Sequence, residues 1–89
     1  MASAIEFETA ARKELAALDK AAARRIVKFL SERLAPMDNP RALGAALRGS
    51  EPDDFWKYRV GDYRLICRID DARITVVLLR IGDRREVYR

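Results

Sequence analysis

The chain has no histidine and a single cysteine, Cys67, among its 89 residues. Those absences exclude a Ser-His-Asp triad, a Cys-His pair, a histidine-ligated zinc and an internal disulfide framework. Glycine and proline are scarce, at 4 and 3 residues, so few points of the chain are obliged to turn. No apolar run approaches the ~20 residues that a membrane-spanning helix needs. Residues 1–8 lack the charged, apolar, small-residue order of a secretory signal. The expectation is a cytoplasmic protein with no membrane partner, no metal and no cofactor. In a reducing compartment Cys67 reads as a small buried apolar residue.

What is present is enough for one domain, residues 1–89, with 49% hydrophobic residues and one core. At this length folding buries roughly 60–65% of the surface of the unfolded chain, so the core is thin and a tight partner adds stability. Lys and Arg number 18 against 14 Asp and Glu, a formal charge of +4, and 14 of the 18 cations are Arg. Arginine suits bidentate contacts with phosphate and carboxylate, so a nucleic-acid partner stands beside the plainer reading of a solvated basic surface.

The pattern changes period midway. Residues 4–8 alternate apolar and acidic, as in a short strand, and Thr9 offers an N-cap to a helix with Ala11, Leu15 and Leu18 at helical spacing. Asp19 offers a cap to a second helix over 20–34, where Ala23, Ile26, Val27, Leu30 and Leu34 form an apolar stripe. The two helices are expected to form a hairpin. Residues 35–54 carry the breakers Pro36, Pro40, Gly44, Gly49 and Pro52, with room for one helical turn at 41–47. Strands are expected at 55–60, 63–70 and 73–81, joined by the two-residue turns Gly61-Asp62 and Asp71-Ala72. The last of these, apolar on both faces, reads as a covered central strand.

The first of these turns sets a register. A two-residue loop at Gly61-Asp62 places Val60 opposite Tyr63, Arg59 opposite Arg64, Tyr58 opposite Leu65, Lys57 opposite Ile66 and Trp56 opposite Cys67. Trp56, Tyr58, Val60, Tyr63, Leu65, Cys67 and Ile69 then share one face, which packs on the helices. Lys57, Arg59, Arg64, Ile66 and Arg68 share the other. Like charges directly opposite are destabilising by a few tenths of a kcal/mol. A local cost of this kind marks a candidate site that a polyanion can compensate.

The run Phe55-Trp56-Lys57-Tyr58-Arg59-Val60-Gly61-Asp62-Tyr63-Arg64-Leu65 and the ending Arg80-Ile81-Gly82-Asp83-Arg84-Arg85-Glu86-Val87-Tyr88 resemble the RelE branch of the RelE/ParE toxin superfamily. The likeness covers essentially the whole chain. It implies an α+β, microbial-ribonuclease-like fold: a short N-terminal strand, a two-helix hairpin and an antiparallel three-stranded meander in one sheet. It also implies the toxin of a bacterial toxin–antitoxin pair, cleaving mRNA in the ribosomal decoding site. The implied partners are the ribosome, mRNA and a RelB-like antitoxin, with operator DNA bound only through the antitoxin complex. By position, Lys57 matches the first of two family strand lysines, and Arg59 stands where the second is commonly Lys. Arg64 matches the arginine that steadies the scissile phosphate, while Arg84 and Tyr88 match the Arg and Tyr of the ending. Asp83 stands where many relatives carry His or Lys.

RNA supplies its own nucleophile, the ribose 2′-hydroxyl. A cleaving protein therefore needs a base for that proton, cations for the phosphorane-like transition state and an acid for the 5′-oxygen. The candidates for proton transfer are Lys57, Tyr88 and Asp83; Arg64 and Arg84 are cast as electrostatic stabilisers, and Arg59 stands with them as a cation crowding Lys57. Arg12, Lys13, Arg24, Arg25, Lys28 and Arg68 are candidates for contacts with RNA or ribosomal phosphates. Two other readings stay open: a ParE-like inhibitor of DNA gyrase on the same fold, and a catalytically degenerate module that only binds its antitoxin.

Overall fold

The computed structural model describes residues 2–47 and 55–83. Strand β1 (Ala4–Phe7) leads into helix α1 (Thr9–Ala17) and then α2 (Lys20–Lys28), which continues as a wider π-helical segment, Phe29–Leu34. A 3-10 turn at Pro40–Ala42 and a two-residue strand β2 (Ala45–Ala46) precede β3 (Phe55–Val60), β4 (Tyr63–Asp70) and β5 (Thr75–Asp83). The strands form one sheet in the order β1-β5-β4-β3-β2. β1 runs parallel to β5 and the other pairs are antiparallel. The expected N-terminal strand and meander are present, and β2 makes a fifth strand.

Alternation decides which face is dry. Tyr58, Leu65, Cys67, Ile69, Val76, Leu78 and Ile81 from the sheet meet Ala11 of α1 and Ile26, Leu30 and Leu34 of the second helix in one buried cluster. Trp56, Val60 and Tyr63, expected on this face, pack against it partly buried. Each fully buried aliphatic side chain contributes about 1.5–3 kcal/mol. β5 is flanked on both sides, with Thr75 to Leu78 all buried. Among the described residues no helix is long and apolar enough to cross a membrane.

Four local expectations are corrected. Thr9 is the first residue of α1 rather than its cap, a position that Glu8 holds, whereas Asp19 does occupy the cap position of α2, without a side-chain capping bond. Val27 is exposed, because the buried positions Ile26, Leu30 and Leu34 lie four apart. A wide turn, closed by the Ala35 N–H donating to the Leu30 carbonyl at 2.8 Å, keeps Leu34 on that face.

The helical turn expected at 41–47 gives way to the 3-10 turn and β2. Here the Asn39 side chain accepts from the Arg41 N–H, and the Trp56 indole and Tyr58 hydroxyl donate to the carbonyls of Leu43 (2.6 Å) and Pro40 (2.7 Å). The segment is thereby tied to the sheet edge. Asp71-Ala72 is not a two-residue turn: Asp70 pairs with Thr75 and residues 71–74 form the connection. A primed two-residue turn needs positive φ where neither Asp71 nor Ala72 supplies a glycine. The left-handed position falls instead on Ile74, at φ 51°.

Candidate functional site

The Gly61-Asp62 turn is tight, and of its two residues only Gly61 takes positive φ, 60°, as a type II′ hairpin turn requires. The register it sets is the one the alternation implies: Arg59 pairs with Arg64, Lys57 with Ile66 and Trp56 with Cys67. Two guanidinium-bearing residues therefore stand opposite each other at the tip of the hairpin. Lys57, Arg59 and Arg64 come together around a cavity of about 250 Å³, with Gly44, Ala45 and Tyr58 completing its lining. Lys57 and Arg64 are half-buried; Arg59 is exposed.

The wall formed by Gly44 and Ala45 escapes a reading of the sequence, where Gly44 registers only as a chain breaker. Gly44 sits at φ 71°, and a Cβ there would run into the Lys57 carbonyl and lie 2.8 Å from Tyr58 Cδ1. Only glycine lets the loop close so tightly on β3. Tyr58 is buried beneath it with its hydroxyl bound to Pro40. Burial, more than its neighbours, pushes the phenol well above its ordinary value, so it remains a neutral structural donor. Burial likewise pushes the Cys67 thiol up to about 12, which leaves it protonated and unreactive.

The remaining candidates are placed unevenly. Arg68 lies 3.7 Å from the Asp70 carboxylate and does not line the cavity. Asp83, the last residue of β5, pairs with Tyr63, and Gly82 pairs with Arg64, so β5 ends beside the cationic turn. Arg84 and Tyr88 lie outside the described residues. Arg12 and Lys13 are exposed on α1, away from the cavity, and Arg24, Arg25 and Lys28 are exposed on α2. Glu14 carries no signal in the sequence because its partners are distant along the chain. Its carboxylate accepts from Arg80 at 3.0 and 3.2 Å and from the Ile81 N–H at 2.8 Å, fastening α1 to the far end of β5. Burial raises the Glu14 pKa, but the bonds from Arg80 and Ile81, with the Arg80 charge, outweigh it and hold the carboxyl below its ordinary value.

Chemically, the cavity offers an ammonium and two guanidinium groups on a strand pair backed by a close-packed core. Such a set has the charge and donors to bind a phosphate and to stabilise added negative charge on it. Among the described residues no three His, Cys, Asp or Glu side chains are grouped to hold a metal ion.

A family profile described as the ParE toxin of the type II toxin–antitoxin system parDE matches residues 5–88. Toxin RelG of Mycobacterium tuberculosis is 36% identical over 85 residues, covering 96% of this chain and 94% of the relative. Among solved structures, the M. tuberculosis toxin–antitoxin complex RelBE2 contains a chain similar to this one. Its TM-score is 0.83 at 34% identity, with 97% of this chain and 95% of the other covered. A mutant of the Escherichia coli toxin RelE in the free state gives a TM-score of 0.77 at 28% identity, covering 99% and 92%.

Proposed function

The chain belongs to the RelE/ParE superfamily, the toxins of type II toxin–antitoxin systems, and from that premise we propose that it is a metal-independent endoribonuclease that cuts mRNA on the ribosome. The observation that carries this reading is the convergence of Lys57, Arg59 and Arg64 on one cavity of the outer hairpin face. In the proposed reaction the ribose 2′-oxygen attacks the adjacent phosphorus. The 2′-O–P bond forms, the P–O5′ bond breaks, and the products are a 2′,3′-cyclic phosphate and a free 5′-hydroxyl. The 2′-hydroxyl proton leaves to a base and the 5′-oxygen gains one from an acid; Lys57, Asp83 and Tyr88 are the candidates for these roles. Arg59, Arg64 and Arg84 stabilise the dianionic phosphorane, which carries more charge than the ground-state diester.

The ribosome orients the strand for in-line attack, which compensates for the missing imidazole. A cytoplasmic location follows from that substrate. The cognate partner is a RelB-like antitoxin, a proposal supported by the similar chain solved in the M. tuberculosis toxin–antitoxin complex RelBE2. Operator DNA is reached only through that complex.

Cleavage of ribosome-programmed mRNA by single and double alanine variants tests the assignment. Arg64→Ala together with Arg84→Ala is expected to abolish cutting, and undiminished cutting would sink it. The gyrase reading is favoured by one finding, the ParE description of the matched profile. Growth arrest with intact mRNA and a DNA-damage response would establish it in place of cleavage.

A further inference from the structure

A second concavity, of about 470 Å³, opens between α2 and the tip of the β3–β4 hairpin, and Arg59 lines both it and the smaller cavity. Its other cations are Arg25, Lys28 and Arg33, against a single carboxylate, Glu32. Among the described residues none of these four cations forms an ion pair with a carboxylate. Four cations thus share one groove with a single carboxylate, a local excess of positive charge that an external polyanion complements.

The groove also has an aromatic floor. The Phe29 ring packs at 5.9 Å from Tyr58, tilted by 54°, and the Arg33 guanidinium lies 6.0 Å from the centroid of Phe29. Arg25 reaches across from α2 to the turn, its guanidinium atoms 3.1–3.3 Å from where a Cβ on Gly61 would sit. The missing side chain at Gly61 therefore does two things: it permits the II′ turn, and it gives Arg25 a seat at the hairpin tip. Planar guanidinium groups beside an aromatic ring suit stacked bases as well as phosphates.

We propose that this groove is a binding track for single-stranded RNA that continues the substrate strand beyond the scissile phosphate, with Arg59 shared by both segments. The inference rests on the ribonuclease reading for the identity of the strand. It differs from a general attraction of α2 to phosphates in assigning a defined set: Arg25, Lys28, Arg33 and Arg59 on the backbone, with the Phe29 ring at the bases. Continuity through Arg59 favours a strand already held in the smaller cavity over an unrelated acidic peptide.

The test is equilibrium binding of the full chain to non-cleavable 2′-O-methyl RNA, a dinucleotide and an octanucleotide, over a salt series, with a polyglutamate peptide as competitor. Arg25→Gln and Arg33→Gln are each expected to weaken the octanucleotide several-fold. Each should flatten its salt slope by about 0.7 for every phosphate that is no longer neutralised, while shifting the dinucleotide far less. Lys20→Gln, the same charge change at the start of α2, is expected to change neither. Equal weakening by Lys20→Gln, or octanucleotide binding unaltered in both arginine variants, overturns the track. So does loss of polyglutamate binding with RNA binding retained, which would make the groove a protein-docking site. Wild-type cleavage on the ribosome, run in parallel, separates the two readings. Length-dependent binding without cleavage removes the ribonuclease and keeps the track, whereas cleavage without length dependence does the reverse.

Discussion

On the helix-facing side of the β3–β4 hairpin, Tyr58, Leu65, Cys67 and Ile69 are sealed from water, each 2% exposed or less. On the other side, one residue along, stand Lys57, Arg59, Arg64 and Arg68. Both faces come from the same two strands and the same register, yet they contribute differently. The first face excludes water and carries the free energy of folding. The second gathers like charges, with Arg59 directly opposite Arg64, and contributes little or negative stability. The difference teaches that a two-residue period can divide one hairpin into a buried apolar half and a cationic half, so substitutions on the two faces should separate stability from the proposed activity.

The sharpest break on the dry face is Leu65→Ala, which removes a fully buried side chain from a thin core. It is expected to lower the unfolding free energy by about 2–5 kcal/mol, a large part of the ~5–15 kcal/mol typical of a domain; denaturant titration measures it. On the wet face, Arg64→Gln is expected to reduce cleavage of ribosome-programmed mRNA by about 10²–10³-fold, the usual cost of one transition-state donor. Its unfolding free energy should stay within about 1 kcal/mol of the parent.

Glu14 tests whether the end of β5, where Asp83 pairs with Tyr63 beside the hairpin turn, is held from the helix layer. Glu14→Gln is expected to cost about 1–2 kcal/mol through the weakened bonds to Arg80 and Ile81. Because the folded state holds the Glu14 carboxyl low, its contribution is full above the ordinary glutamate value of about 4.3. It is lost as pH falls through the folded value, so Glu14→Gln should flatten the acid limb of the stability profile. A smaller effect is expected at the β4–β5 connection. Ile74→Gly relieves a β-branched residue at φ 51° and should raise stability by about 0.5 kcal/mol, the left-handed penalty less the entropy of glycine.

Much of the hairpin is legible in the sequence because the signals there are local. Gly61-Asp62 fixes a turn type, the turn fixes the register, and strict alternation then assigns Lys57, Arg59 and Arg64 to one face. The Asp71-Ala72 connection misleads for the converse reason. It has turn composition but no glycine at a positive-φ position, so the chain places that conformation on Ile74, at the far end of the connection. Nor does local pattern foretell β2, which exists because Trp56 and Tyr58 bind carbonyls 13 and 18 residues away. The wall of the smaller cavity at Gly44 and the seat of Arg25 on Gly61 are likewise long-range, since each depends on a side chain that is absent. At the site, the cationic trio is accessible to reasoning from period and charge, while Arg33, Phe29 and Glu14 become visible only once the helices are set against the sheet.

Arg59 carries the comparison most directly, because it faces another cation across the hairpin and lines both concavities. The decisive measurement is the pair of values, unfolding free energy and rate of ribosome-dependent cleavage, for Arg59→Gln. Relief of the Arg59–Arg64 repulsion should leave the protein as stable as the parent or more so, by a few tenths of a kcal/mol, while cleavage falls at least tenfold. A variant that is less stable and cuts mRNA at the parental rate would contradict the division of the hairpin into a structural and a reactive face.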